Sequence, residues 1–312
     1  MMRCLVTGAT GYIGGRLSAF LSERGYQVRC GSRRAIHDRG NFAWVATDFD
    51  SKDSLAEACR NTDVIVHLAA LNEIESAADP ERSTLVNTIN TQRLVAAARA
   101  SDVPRFVYFS TVHVYGSPLK GEINEETCAT PVHPYAISHK AAEDYLRYAA
   151  STSEIKCQIV RLTNSFGYPV WKDVDRWSLV VNDACRQLAL TGKVALRTPG
   201  SQLRDFVTLT DVCRAVEVLL EKAVSSTGVD TYNVGGESTM SVRQMVERVV
   251  RVYEDSTGRS APIDAPKASS SIGIDALRID ISRLRAAGFV PLNNIDEEIR
   301  ELLSRCLAWF SA

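Results

Sequence analysis

Residues 3–14 read Arg-Cys-Leu-Val-Thr-Gly-Ala-Thr-Gly-Tyr-Ile-Gly, an apolar run that leads straight into three regularly spaced glycines. The apolar run predicts a buried strand, and a helical pattern follows over residues 14–24. Gly8 permits a tight turn, Gly11 lets a pyrophosphate approach the backbone, and Gly14 lets the helix pack closely on the sheet. The helix N-terminus adds N–H donors and a partial positive charge. This spacing predicts that a dinucleotide is bound by Gly8, Thr10, Gly11, Tyr12, Ile13 and Gly14.

Short apolar runs alternate with helical patterns through the first half of the chain. Strands are predicted at residues 3–7, 27–31, 64–68, 106–110 and 157–162, and helices at 14–24, 54–59, 84–100 and 138–150. This alternation implies right-handed crossovers and a parallel sheet with helices on both faces. We therefore predict an α/β protein, a Rossmann-like doubly wound parallel sheet with a smaller C-terminal mixed α/β substrate lobe.

The pattern loosens after residue 165, which predicts two domains. Residues 1–165 are expected to form the Rossmann-like domain, to which residues 205–235 contribute elements. Residues 166–204 and 236–312 are expected to form the substrate-binding lobe. The Ala-Ser-Ser-Ser segment at residues 268–271 is predicted to be a loop.

Composition restricts the possible partners. The 312 residues carry 36 Lys and Arg against 37 Asp and Glu, a net charge of −1 that offers no bulk attraction to nucleic acid or an acidic membrane. No apolar stretch approaches the ~20 residues that cross a bilayer. The eight cysteines occur singly, without metal-site spacing, and are expected to be reduced thiols. We expect a cytoplasmic protein without a leader segment, with small-molecule partners and no metal.

The end of the second predicted strand bears on the choice of cofactor. An NAD site usually places a carboxylate there for the adenosine 2′-hydroxyl, whereas arginine accommodates the 2′-phosphate of NADP. This chain reads Gly-Ser-Arg-Arg at residues 31–34, without a carboxylate. Ser32, Arg33 and Arg34 are therefore predicted cofactor contacts, and NADP is favoured over NAD. The alternative is that both arginines are solvated surface residues.

Residues 135–143, Tyr-Ala-Ile-Ser-His-Lys-Ala-Ala-Glu, resemble the Tyr-x-x-Ser-Lys-x-x-x-Glu segment of extended short-chain dehydrogenases/reductases. Tyr135, Ser138 and Glu143 keep the family's spacing, and His139 stands where the family has lysine. Residues four apart share a helix face, so position 139 lies beside Tyr135, whereas Lys140 lies ~100° further round. The histidine is therefore a replacement and not a shift of register.

Further segments resemble this family in order along the chain, at residues 66–70, 86–87, 109–116, 161–164, 204–212 and 278–291. The resemblance implies an NAD(P)-dependent nucleotide-sugar epimerase or dehydratase, in a family that commonly forms homodimers. It assigns catalysis to Thr111, Tyr135 and His139. It assigns cofactor contacts to Asp48, Phe49, Leu68, Ala69, Ala70, Tyr135 and His139, and substrate contacts to Thr111, His113, Asn164, Arg204 and Arg278.

Tyrosine can act as the base of such a site. A sugar hydroxyl loses hydride to nicotinamide only if its proton leaves to a base, and a tyrosinate accepts it. Because tyrosine's reference pKa is about 10, the site needs a nearby positive charge, which lysine normally supplies. His139 could supply it in part and donate to a ribose hydroxyl, but imidazole is only partly charged at neutral pH. Three interpretations follow: a working enzyme with an altered relay, which is favoured, a slow enzyme, or a cofactor-binding protein without redox turnover.

The residues after Thr111 bear on the type of reaction. In the related 4,6-dehydratases this loop reads Thr-Asp-Glu, and the two carboxyl groups serve the elimination of water. Here the two positions hold Val112 and His113, so dehydration is not expected. Epimerisation through a transient keto sugar is favoured, and the alternative is an NADPH-dependent reductase of a keto sugar or another carbonyl compound.

Overall fold

The computed structural model describes residues 1–33, 39–225, 228–267 and 276–310. The strands are β1 Arg3–Thr7, β2 Gln27–Ser32, β3 Ala43–Ala46, β4 Val64–His67, β5 Arg105–Thr111, β6 Gly121–Ile123, β7 Lys156–Leu162, β8 Asn164–Phe166, β9 Val194–Ala195, β10 Leu203–Thr208, β11 Val229–Val234, β12 Thr239–Ser241, β13 Ile263–Asp264 and β14 Leu277–Ile279. The helices are α1 Tyr12–Glu23, α2 Lys52–Cys59, α3 Glu73–Ala78, α4 Pro80–Ser83, α5 Asn90–Ala100, α6 Pro134–Ser151, α7 Val180–Thr191, α8 Leu209–Glu221, α9 Val242–Thr257, α10 Ser282–Ala286 and α11 Ile295–Phe310.

Seven strands form the main sheet, in the order β11-β7-β5-β4-β1-β2-β3. The pairs from β7 through β5, β4, β1 and β2 to β3 are all parallel. The chain builds the sheet outward from β1 in both directions, so the strand order reverses between β1 and β4. In open α/β sheets, ligands bind at the carboxyl ends of the strands at such a reversal. The predicted Rossmann-like, doubly wound sheet is confirmed.

The central strands are buried apolar runs because helices cover them. Leu5, Ile65, Phe106 and Ile159 point to one face and are fully buried. They join one apolar cluster with side chains of α2, α5 and α6. The removal of these apolar side chains from water provides most of the driving force that holds the helices on the sheet.

The chain divides into two compact units. The first comprises residues 1–119, 125–162 and 216–233, and holds the seven-stranded sheet. The second comprises residues 120–124, 163–215 and 234–312, with the small sheets β12-β10-β8, β13-β9 and β14-β6. A separate apolar cluster that includes side chains of α7, α9 and α11 forms its core. Among the described residues, no helix is both long and apolar enough to cross a membrane.

Two helices differ from their predictions by more than two residues or in type. The single helix predicted at residues 84–100 is a π-helical turn, Thr84–Ile89, followed by α5. Asn87 anchors this turn through its side chain, which accepts from the Leu71 N–H at 2.7 Å and donates to Ser138 at 3.0 Å. Helix α6 begins at Pro134 and not at residue 138, because Pro134 occupies its first turn and His133 caps it. The predicted loop at residues 268–271 lies outside the described residues.

Candidate functional site

The glycine loop lies between β1 and α1, at the reversal of strand order. Gly8 has φ +70°, and a Cβ there would lie 2.8 Å from the Ala69 nitrogen at the end of β4. The Gly11 N–H donates to the Gly8 carbonyl at 2.9 Å, which closes the turn. A Cβ on Gly14 would collide with that same carbonyl. Gly14 therefore allows α1 to pack closely on the backbone of the loop, whereas the sequence predicts close packing on the sheet. The backbone thus forms a cradle without side chains, which fits a pyrophosphate group.

The other predicted cofactor residues lie at or just beyond the ends of β2 and β4 and differ in their exposure. Leu68 and Ala69 are half-buried and follow β4, and Ala70 is exposed beside them. Ser32 is buried at the end of β2, whereas Arg33 is exposed. Arg34 lies outside the described residues.

Asp48 and Phe49 follow β3 and have local partners. The Asp48 carboxylate accepts from the Asp50 N–H at 3.0 Å, within an exposed turn. The Phe49 ring lies 6.0 Å from the ring of His67. Their cofactor roles stay a prediction.

Strand β5 and helix α6 contact each other through two pairs of polar side chains. Tyr108 on β5 contacts His139 on α6, with the phenol oxygen 2.7 Å from Nδ1. The Ser110 hydroxyl donates to Glu143 at 2.7 Å. Tyr108 was not predicted as a site residue, although its alternation with Ser110 is the signal that places both on the face that meets α6.

His139 is buried and uncharged at neutral pH. Its exposed fraction is 2%, and burial lowers the pKa of its imidazole to about 4 even though Glu143 and Glu73 favour the protonated form. Its Nε2 is buried and has no hydrogen-bond partner among the described residues. Burial therefore removes the partial positive charge that the sequence led us to expect at this position.

Tyr135 and Thr111 lie at the carboxyl end of β5. Tyr135 is half-buried in the first turn of α6, and its ring lies 4.5 Å from the ring of His139 at an interplanar angle of 67°. Thr111 is the last residue of β5, is 5% exposed, and its hydroxyl accepts from the His113 N–H at 3.2 Å. Helix α6 packs against β5 and against the 3₁₀ turn Val112–Tyr115. The structure thus places the predicted hydroxyl residues, and half-buried His113, beside the same helix and strand end.

An ion pair beneath these residues fixes α6 to the sheet. The Arg161 guanidinium on β7 donates twice to Glu143, at 3.0 and 2.7 Å, and both side chains are almost fully buried. Burial alone raises the pKa of the Glu143 carboxyl, but Arg161, Ser110 and Arg147 outweigh it and hold that pKa below its usual range. Glu143 therefore stays ionised. We infer that this pair is structural, because Glu143 on α6 joins Arg161 on β7 and Ser110 on β5.

The second unit holds three predicted substrate residues. Asn164 lies on β8 and Arg204 on the neighbouring strand β10, and the Asn164 amide donates to the Asp205 carbonyl at 3.1 Å. Asp205 is itself buried, and its carboxylate accepts from the Gly236 and Ser238 N–H groups, both at 2.9 Å. Arg278 on β14 is exposed and pairs with Glu122 at 2.8 Å. Their substrate contacts stay predictions.

Cysteines and metal ligands add no further site to this arrangement. All eight cysteines are free, and only Cys128 is exposed. Burial raises the pKa of Cys4 to about 12, which makes that thiol a poor nucleophile. Within the described ranges, no three His, Cys, Asp or Glu residues are grouped to hold a metal ion.

The sheet order and the glycine cradle define a Rossmann-like protein, and comparison with known proteins identifies the family. A model described as the NAD dependent epimerase/dehydratase family matches residues 4–235. The chain belongs to this family.

Relatives and a solved structure agree with this membership. The chain is 27% identical over 276 residues to dTDP-D-glucose 4,6-dehydratase of Homo sapiens, covering 83% of this chain and 76% of that protein. It is 28% identical over 274 residues to probable UDP-arabinose 4-epimerase 3 of Arabidopsis thaliana, covering 78% and 66%. The structure of MoeE5 with UDP-glucose and NAD superimposes with a TM-score of 0.80, 26% identity and 97% coverage of each chain.

These relatives support an enzyme of NAD-dependent nucleotide-sugar chemistry. They include a dehydratase as well as an epimerase, so they do not support the expectation against dehydration. They bear on the cofactor only coarsely, since the MoeE5 complex contains NAD. The preference for NADP stays a prediction.

Proposed function

We propose that this protein is an NAD(P)-dependent nucleotide-sugar epimerase that works by transient oxidation of a ring carbon to a keto sugar. The observation that carries the proposal is the position of Tyr135 and Thr111 at the carboxyl end of β5. Two strand spacings, about 10 Å, separate β5 from the glycine cradle after β1. A dinucleotide that lies across the reversal of strand order would bring its nicotinamide end to these hydroxyl groups.

Each residue has a defined task in this reaction. A nicotinamide cofactor, when bound, would supply reversible hydride transfer with the sugar. Tyr135 accepts the proton of the sugar hydroxyl and later gives it back. Thr111 donates a hydrogen bond to the reacting oxygen and orients it. The backbone of the glycine loop would hold the pyrophosphate, and Gly8 and Gly11, which leave the turn free of side chains, are its candidate contacts.

The substrate's diphosphate is assigned to the second unit. Arg204 is suited to bidentate pairing with phosphate oxygens, and Asn164 on the adjacent strand can bond phosphate or sugar. Arg278 is a further candidate, although in this structure it pairs with Glu122.

The absence of carboxyl groups at positions 112 and 113 supports epimerisation over dehydration. Elimination of water needs an acid and a base beside the substrate, and the two residues after Thr111 are buried Val112 and half-buried His113. A histidine can transfer protons, so one of the two roles could still be filled.

We also propose a cytoplasmic homodimer with a small-molecule substrate. Support for the dimer comes from exposed apolar side chains on α6, namely Ile137, Tyr145 and Tyr148. Exposed apolar groups on one helix are typical of a contact surface.

The function is tested by incubating the purified protein with UDP- and dTDP-sugars and either NAD or NADP, and identifying products by NMR. An epimeric sugar with no net reduction of the cofactor is expected. A dehydrated keto sugar would identify a dehydratase, and stoichiometric oxidation of NADPH would identify a reductase. No product with any sugar would contradict the proposal.

A cofactor-binding protein without redox turnover is a second candidate, which uncharged His139 favours. It predicts tight binding of NAD or NADP, measured by calorimetry, with no turnover of any nucleotide sugar. His139→Lys restores the family residue and separates the two candidates. Turnover gained only in this variant would support the second candidate, whereas turnover in the wild type would exclude it.

Exposed Arg33 supports a preference for NADP. Arg33→Ala is expected to raise KM for NADP about tenfold and KM for NAD less than about twofold, since a charge-assisted bond to the 2′-phosphate contributes ~1.5 kcal/mol or more. Steady-state kinetics with both cofactors measure this. Arg60→Ala is the control, because Arg60 is an exposed arginine paired with Glu57 before the amino end of β4. Equal losses for both cofactors would contradict the preference.

A further inference from the structure

We propose that Tyr108 is a positioning residue that fixes the tautomer of His139, so that a neutral imidazole presents its Nε2–H edge to the ring of Tyr135 where the family has a charged lysine. The consequence for the reaction rests on the proposed function. The tautomer itself does not depend on it, because all three side chains lie in the first unit and need no ligand.

The hydrogen bond between Tyr108 and His139 has two possible directions. Either the Tyr108 hydroxyl donates to Nδ1 and Nε2 carries the imidazole proton, or Nδ1–H donates to the phenol oxygen and Nε2 is a bare acceptor. Burial raises the pKa of Tyr108 well above its usual value, so the phenol keeps its proton in both cases. The second direction forces that proton onto another acceptor.

Thr91 is the neighbour that could take this proton, but its own bonds are largely committed. Its hydroxyl donates to the Asn87 carbonyl at 2.7 Å. Its oxygen lies 3.0 Å from His67 Nε2, which must therefore be the donor. The Thr7 hydroxyl, 2.6 Å from the other ring nitrogen of His67, completes a consistent set of directions. If Tyr108 also donated to it, Thr91 would accept twice, and both lone pairs of its hydroxyl oxygen would be used.

The surroundings of His139 Nε2 decide between the two directions. This atom is buried without a hydrogen-bond partner among the described residues, and the imidazole and the Tyr135 ring are T-shaped, with centroids 4.5 Å apart. The face of an aromatic ring carries negative charge, so it attracts an N–H and repels a lone pair. In the arrangement that we propose the imidazole supplies the edge, so that an Nε2–H is stabilised by the Tyr135 ring and a bare Nε2 is not. The Tyr108 hydroxyl consequently donates to Nδ1.

This arrangement gives His139 a task that requires no charge. The Nε2–H edge of the imidazole contacts the ring of Tyr135, and the Tyr108 hydroxyl fixes the orientation of the imidazole through its hydrogen bond to Nδ1. The ionisable groups that act on the His139 imidazole are Glu143 and Glu73, which favour a proton on it without outweighing burial. His139 in turn lowers the pKa of buried His67.

Nitrogen-15 NMR of the full-length protein labelled in histidine measures the tautomer directly, without cofactor or substrate. The His139 signals are those lost in His139→Gln. At pH 7 they are expected to show a protonated Nε2 and an unprotonated Nδ1. A protonated Nδ1, or a doubly protonated ring, would overturn the proposal whether or not the protein turns over nucleotide sugars.

A pair of variants tests whether Tyr108 sets this tautomer. In Tyr108→Phe, the Nδ1 loses its donor, and a mixture of the two neutral tautomers is expected. Tyr115→Phe removes another buried hydroxyl of the first unit, which donates to Asn233 at 2.7 Å, and should leave the His139 signals unchanged. An unchanged tautomer in Tyr108→Phe would refute the role of Tyr108. If that variant does not fold, the wild-type spectrum still decides the tautomer.

A double-mutant cycle tests the consequence for the reaction. Tyr108→Phe is expected to lower kcat about tenfold in the wild type, equivalent to ~1.4 kcal/mol, with KM changed less than about twofold. In His139→Lys, which has no tautomer to fix, the same change should cost less than about twofold. Equal losses in both backgrounds would mean that Tyr108 acts only on the structure. Absence of turnover in every protein would contradict the proposed function and leave the NMR result standing.

Discussion

Tyr135→Phe is expected to lower kcat about a thousandfold with a nucleotide-sugar substrate, because a positioned proton-transfer group contributes roughly 10² to 10⁴ in rate. The phenylalanine ring keeps the contact with His139, which lies 4.5 Å away ring to ring, so the fold and the cofactor cradle should be unaffected. Single-turnover measurement of nicotinamide absorbance isolates the hydride step. Calorimetric affinity for the dinucleotide is expected to change less than about threefold.

Tyr26→Phe is the matched control for this experiment. Tyr26 is a half-buried tyrosine just before β2, at the amino ends of the parallel strands and therefore at the edge opposite Thr111. Its kcat should equal that of the wild type. If Tyr135→Phe retained more than a tenth of wild-type kcat, another group would have to move the proton, and half-buried His113 would be the first to examine.

Glu143→Gln is expected to lower the free energy of unfolding by about 3 kcal/mol, because it leaves the buried Arg161 guanidinium without its counter-charge. The amide keeps the shape of the carboxylate, so packing against α6 and β5 is preserved. Urea unfolding at pH 7 measures the change, given a two-state transition.

The neighbouring acid on the same helix provides the control. Asp144 pairs with Lys140 at the surface, and its side chain is 58% exposed. Asp144→Asn should therefore cost at most about 0.5 kcal/mol. If the two variants lost the same free energy of unfolding, the buried pair would stabilise the fold no more than the exposed pair does.

The same carboxylate predicts a pH dependence with a definite sign. The pKa of Glu143 is lowered in the folded protein, so its contribution is present above the unfolded value of 4.5 and is lost as the pH falls through the folded pKa. The stability difference between wild type and Glu143→Gln should therefore shrink in acid. A difference that stays constant down to pH 3 would show that the ionised form is not what stabilises the fold.

The sequence predicted the sheet well because buried parallel strands are continuous apolar runs. The strands predicted at 106–110 and 157–162 differ by only one residue at their ends from β5 and β7. The π-helical turn could not be predicted, because the Asn87 side chain is anchored to Leu71 and Ser138, 16 and 51 residues away in the chain. Such contacts override local helix propensity.

The sequence predicted the proximity of Tyr135 and His139 but not the charge state of the His139 imidazole. The four-residue step from Tyr135 placed position 139 beside it, and the structure agrees. The pKa of His139 depends on how completely the ring is covered, which no local pattern encodes. Tyr108 was overlooked because a tyrosine in an apolar strand resembles ordinary core, and only its alternation with Ser110 assigns it to the face that meets α6.

The adjacent buried rings of His67, Tyr108 and His139 also restrict how this protein can be handled. Burial lowers the imidazole pKa to about 3 in His67 and about 4 in His139. The unfolded chain takes up protons on both near pH 6.5, whereas the folded chain does not, so each ring removes ~1.4 kcal/mol of stability per pH unit below that value. The free energy of unfolding is therefore expected to fall as the pH drops from 6.5 toward 5, so neutral or mildly alkaline buffers favour the folded form.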